Sequence, residues 1–242
     1  MKTFAEQCAE LASLNTFDPL AFQGDKDVPQ DLCSLVLALA LIYNDCKNAI
    51  YAAHLLREVK PRGQFEHSGL WATWSGIDWH LLRLFASYVH ELFELIRDHR
   101  SLLDHPFFVR VIKHVHGQSR TSWKSLVSVA DGATPKDDLG RFLLLIRNKV
   151  VFHYDAKGIY RGYRQQFIDP GHPQQKAYIS RGLSMSATRF YFADAAVVGY
   201  FQGIEGPNFS QKVLEIIHSL NFAHIGIVDR FIQGRGFAYR EV

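Results

Sequence analysis

Apolar residues that return every three or four positions over long stretches constrain this chain more than any other feature. In residues 29–59, Leu32, Leu35, Val36, Leu39, Ile42, Tyr43 and Cys46 keep to one face of a helix, and residues 77–103 repeat the pattern with Leu81, Leu84, Phe85, Tyr88, Leu92, Leu95 and Ile96. Pro29 suits the first turn of the earlier helix, Asp31 complements its positive end, and Lys60-Pro61 closes it. Two helices of similar length predict an antiparallel pair at the centre of a bundle. No region alternates with period two over several segments, so an all-α fold is expected. A chain of 242 residues that is 48% hydrophobic can bury a large core.

Shorter helices are expected over residues 3–14, 106–116 and 121–130, and two more over 187–202 and 208–232, giving about seven or eight helices in one domain. Residues 15–28 read as a loop. Residues 60–75 read as a connection containing Trp71 and Trp74; three of the four tryptophans fall between 71 and 79. Packing is the ordinary use of such residues, and base stacking the functional alternative. Tyr43, Asn44, Asp45 and Lys47 allow a functional reading, but core and solvated positions explain them as well. Pro135 followed by Lys136-Asp137-Asp138 opens a further helix with acids in its first turn. The expected organisation is a bundle core over 29–155, a basic loop over 156–186 and C-terminal helices over 187–242.

The chemically loaded segment closes that further helix. Leu139, Phe142, Leu143, Ile146 and Val150 form one apolar stripe, followed by Arg147, Asn148, Lys149, His153 and Tyr154 within eight residues. His153 falls on the stripe and Arg147 at its border. An imidazole on an apolar stripe is desolvated, which disfavours its charged form, whereas a neighbouring phosphate favours it. A guanidinium at the same edge matches phosphate oxygens bidentately. The alternative is a core histidine and a helix-end arginine paired with Asp155 or Asp138.

Arg, then Asn, then four residues, then His at the end of a helix resembles the signature of HEPN domains, over roughly residues 139–155. The resemblance implies an all-helical module of a kind that often acts as a metal-independent ribonuclease in toxin–antitoxin and abortive-infection systems. It assigns catalysis to Arg147, Asn148 and His153, with Tyr154 and Lys149 as auxiliary residues, although Tyr154 directly follows His153 where one residue more commonly intervenes. It also implies a homodimer. Arg147 and His153 are six residues apart, about 120° around an ideal helix, and two motif copies would complete a composite site. An antitoxin protein is the further partner it suggests.

Charge points the same way. Between Arg141 and Arg189 there are nine Lys or Arg residues against Asp155 and Asp169, a local excess of seven in a chain whose formal net charge is +3. Lys157, Arg161, Arg164, Lys176 and Arg181, interleaved with Tyr160, Tyr163, Phe167 and Tyr178, suit phosphate contact combined with base stacking. RNA is therefore the expected ligand of this segment, which is expected to be a long loop, with a small hairpin within 157–192 as the alternative.

Other classes find less support. Cys8, Cys33 and Cys46 are odd in number and lack a CxxC spacing, so neither a disulfide framework nor a zinc knuckle is expected. His114 and His116 point about 200° apart on a helix and lack a third ligand, so no metal or other cofactor is expected. The longest uncharged apolar run, residues 32–43, is too short for a bilayer, and residues 1–7 lack the apolar stretch of a signal peptide. A cytoplasmic protein without a membrane partner is the expectation. Two alternatives to the ribonuclease stand: a non-catalytic HEPN-like module that binds RNA or a protein, and a purely structural bundle.

Overall fold

A computed structural model describes residues 6, 15–61, 69–132, 143, 155–169, 177–179, 181, 183–184, 188–202 and 209–241. Eight α-helices stand among them: α1 Gln30–Glu58, α2 Gly69–Asp98, α3 Arg100–Leu103, α4 Pro106–His114, α5 Gly117–Gly132, α6 Ala156–Phe167, α7 Tyr191–Gln202 and α8 Phe209–Gly234. The expected helix over 3–14 and the helix that carries the Arg147–His153 motif lie outside the described residues, except Glu6, and Leu143, which is buried in the core. The fold is all-α. Its only sheet among the described residues is a two-residue ribbon, Asn15–Thr16 paired antiparallel with Arg240–Glu241.

α1 and α2 pack along each other, as their matched apolar faces require. Leu32, Leu35, Val36 and Leu39 of α1 and Phe85, Val89, Leu92, Phe93 and Ile96 of α2 are buried. α8 packs against α5 and α1 and contributes Ile216, Leu220, Ile227 and the fully buried Phe231. Phe231 stacks on Phe22 at 5.5 Å and meets Phe107 of α4 edge-on at the same distance, joining three elements in one aromatic contact. Arg120 donates through Nε to Ile112 O and through Nη2 to Val115 O, occupying carbonyls that the last turn of α4 leaves open.

Three departures from the expected elements have identifiable causes. α2 begins at Gly69 rather than near residue 77, so Trp71 and Trp74 are helical. Their rings stack at 5.2 Å, Lys60 Nζ sits over both, and Trp74 Nε1 donates to Leu56 O, which makes the pair packing between the end of α1 and the start of α2. Residues 156–167 form helix α6 where a loop was expected, because glycines conceal its buried face from an apolar count. Over an 18-residue window that admits one or two charged residues, and not by its longest uncharged run, α1 is long and apolar enough to cross a membrane, the one such helix among the described residues. Its buried side is the face that packs in the core.

Candidate nucleic-acid interface on α6

α6 opens at Asp155, whose carbonyl accepts from Ile159 N at 2.9 Å. The Asp155 side chain does not cap the helix; its Oδ2 accepts from Tyr200 Oη of α7 at 3.4 Å. Burial, and then the neighbouring Asp155 carboxylate, raise the Tyr200 phenol above its ordinary pKa, so it remains a donor. At the other end Arg164 O accepts from both Ile168 N and Asp169 N, and Arg164 Nη2 pairs with Asp169 Oδ1 at 2.7 Å.

Gly158 and Gly162, one turn apart, make the buried face. A Cβ on Gly162 would lie 2.1 Å from Ala196 O and 2.5 Å from Tyr200 N; one on Gly199 would lie 2.5 Å from Gly162 O. The α6 and α7 backbones thus touch at a crossing only small residues permit. Burying the glycine face turns one other stripe of the helix outward. Lys157, Tyr160, Arg161 and Arg164 stand at i, i+3, i+4 and i+7, and all four are exposed. They cover an arc of about 100° and a length of about 10.5 Å. Lys157 and Arg161 have no ion-pair partner among the described residues.

The aromatic residues divide by burial. Tyr163 and Phe167 contact at 4.9 Å, Tyr163 meets Phe192 of α7 edge-on at 6.4 Å, and all three are half-buried. They hold α6 to the start of α7. Tyr160 is 59% exposed, its ring 6.5 Å from Tyr163 and within 12° of parallel. Tyr178 is exposed, and its carbonyl accepts from Phe192 N.

Of the residues assigned to RNA from sequence, α6 brings Lys157, Arg161 and Arg164 together. Arg181 is exposed in a non-helical stretch, and Lys176 lies outside the described residues. The same holds for Arg147, Asn148, Lys149, His153 and Tyr154. The special place of Tyr160 among the aromatics is not evident from composition; a polar period, Lys157-x-x-Tyr160-Arg161-x-x-Arg164, opposite Gly158-x-x-x-Gly162 is the sequence signal that carries it.

Elsewhere the polar side chains serve packing. His114 Nδ1 lies 2.8 Å from Arg110 O, and His116 Nδ1 accepts from Gln118 N. Among the described residues no three His, Cys, Asp or Glu side chains gather as a metal would require. Cys33 and Cys46 are buried and unbridged, and burial pushes the Cys46 thiol up to about 12. His80, 3.4 Å from Arg83 Nη2, is held below its ordinary pKa by burial and then by Arg83 and Arg189. A cleft of about 590 Å³ between α1 and the end of α2 is lined by Leu35, Ala38, Leu95 and Leu102 together with Ser34, His99, Ser101 and two carboxylates, Asp31 and Asp98, whose charge is of the wrong sign for phosphate. No protein family, characterised protein or solved structure matches this chain.

Proposed function

We propose that the chain is a HEPN-like RNA-binding endoribonuclease of toxin or phage-defence type, in which α6 holds RNA and the preceding motif cleaves it. The exposed stripe Lys157, Tyr160, Arg161 and Arg164, set opposite a glycine face that anchors the helix, is the observation that carries this reading. His153 precedes Lys157 by four residues in the sequence. In this reading His153 takes the proton from a ribose 2′-hydroxyl, the 2′-oxygen bonds to the adjacent phosphorus, and the bond from phosphorus to the 5′-oxygen breaks. The leaving oxygen takes a proton, and the products are a 2′,3′-cyclic phosphate and a 5′-hydroxyl. Arg147 stabilises the growing phosphoryl charge and Asn148 orients the site. No metal ion takes part. Lys149 and Tyr154 are auxiliary residues of this site, and Lys176 and Arg181 extend the contact with RNA.

The reading also proposes a cytoplasmic homodimer that supplies two copies of the motif, silenced by an antitoxin protein. Light scattering tests the dimer, and a strict monomer removes the composite site. Activity is tested with purified protein, freed of partners, on a mixed pool of single-stranded and structured RNAs in excess EDTA. Cleavage to cyclic-phosphate ends is expected, and an uncut pool ends the ribonuclease proposal. The α6 stripe by itself supports the second reading, a non-catalytic RNA-binding module. Charge reversal at Arg161 and Arg164 then weakens binding to every sequence and flattens the salt dependence by about one logarithmic slope unit for each phosphate no longer neutralised. Unchanged binding at moderate salt removes both readings of α6.

A further inference from the structure

We propose that Tyr160 is a stacking seat for one unpaired base, which makes single-stranded RNA the preferred ligand of α6; this rests on the RNA-binding reading above. The rings of Tyr160 and Tyr163 lie near-parallel with centroids 6.5 Å apart, and Tyr163 is fixed in turn by Phe167 and Phe192. Tyr160 is open to solvent. Lys157 stands one turn before Tyr160 and Arg161 beside it, neither held by a carboxylate among the described residues, so the backbone next to a base seated there meets positive charge. Phe190 is also exposed, but the neighbouring Arg189 is committed to Asp194 at 3.0 Å and supplies no phosphate contact of its own. A base within a duplex has both faces covered by its neighbours. Only an unpaired or extruded base can lie on the exposed Tyr160 ring, and every base has the face to do so, which gives strand preference without sequence preference.

The test measures the affinity of the full chain, by fluorescence anisotropy, for a short labelled RNA single strand and for the same strand annealed to its complement. The wild type should prefer the single strand. Tyr160→Ala should weaken single-strand binding by about five- to a hundredfold, the range set by the stacking of one base on one ring, and leave duplex binding nearly unchanged. Tyr160→Phe keeps the aromatic face and should bind as wild type, whereas Tyr160→Leu keeps apolar bulk and should behave as the alanine variant. Thermal melting of each variant checks that α6 remains folded. Equal losses on both ligands, or full affinity in Tyr160→Ala or Tyr160→Leu, overturn the stacking role. If Arg161→Glu abolishes binding while Tyr160→Ala does not, the stacking inference alone falls; if the wild type binds neither strand, the RNA reading falls with it.

Discussion

Arg235 Nη2 donates to Asp25 Oδ2 at 2.7 Å across 210 residues of sequence, and Arg235 Nη1 lies 3.0 Å from Cys33 Sγ. The arginine side chain is 5% exposed and the aspartate 49%, so this contact fastens the end of α8 to the loop before α1. Asp25 also accepts from Asp27 N and Val28 N, and these backbone donors, ahead of Arg235, lower its pKa.

Asp25→Asn retains an acceptor for those two amides and removes only the charge facing Arg235. Arg235→Ala removes both of the guanidinium's interactions from a nearly buried site. We expect the arginine variant to be less stable than wild type in urea unfolding, since it loses both contacts from a nearly buried side chain, and Asp25→Asn to lose less. Equal and negligible losses would mean that the chain ends are held by the ribbon and Phe231 alone.

Acid sensitivity should centre on His224. It is fully buried, its Nδ1 lies 3.0 Å from Leu220 O, its ring stacks on Tyr43 at 6.1 Å, and Nε2 has no partner among the described residues. Burial lowers its pKa from 6.5 to about 4. Between these values the unfolded chain binds a proton that the folded chain refuses. This contribution is therefore complete above pH 6.5 and is lost as pH falls toward 4, a loss of about 3 kcal/mol. His224→Leu should flatten the pH profile of urea unfolding over that interval and cost little at neutral pH, since it removes an orphaned acceptor. An unchanged slope would assign the sensitivity to other groups.

Gly162→Ala should separate α6 from α7. The new methyl would meet backbone at 2.1 Å and 2.5 Å, atoms that cannot move aside as a flexible side chain does. Overpacking of this kind costs about 1–3 kcal/mol or more. Hydrogen exchange should show faster opening of α6 with the α1–α2 core unaffected; uniform protection would falsify the close crossing.

His153→Ala and Arg147→Ala distinguish catalysis from binding. Loss of a general base typically costs about 10²- to 10⁴-fold in rate, so His153→Ala should lose EDTA-resistant cleavage while retaining RNA affinity. Arg147→Ala should lose both, because phosphate is charged in the ground state as well as the transition state. If His153→Ala instead lowers stability by about 1–3 kcal/mol and the wild type has no cleavage activity, His153 is a core histidine.

The long helices were legible because burial leaves its period in the residues themselves. Leu32, Leu35, Val36 and Leu39, or Leu92 and Ile96, must face an apolar partner whichever element supplies it, and Pro29 and Pro61 bracket α1 without tertiary help. The concentration of cations after residue 141 was equally visible, since charge is counted without coordinates. α6 was not. Its buried face is Gly158 and Gly162, which carry no hydrophobic signal and weaken an isolated helix; their value lies in letting Ala196 and Tyr200 of α7 approach. That approach decides which side of α6 is hidden, and so turns a scattered set of basic and aromatic residues into the row Lys157, Tyr160, Arg161 and Arg164. The sequence by itself determined the helical class, the positions of the long helices and the sign of the charge. Only tertiary packing decided that Trp71 and Trp74 join α1 to α2, that Asp25 meets Arg235 and that Tyr160 faces solvent. These depend on pairs distant in the chain, which no local period encodes.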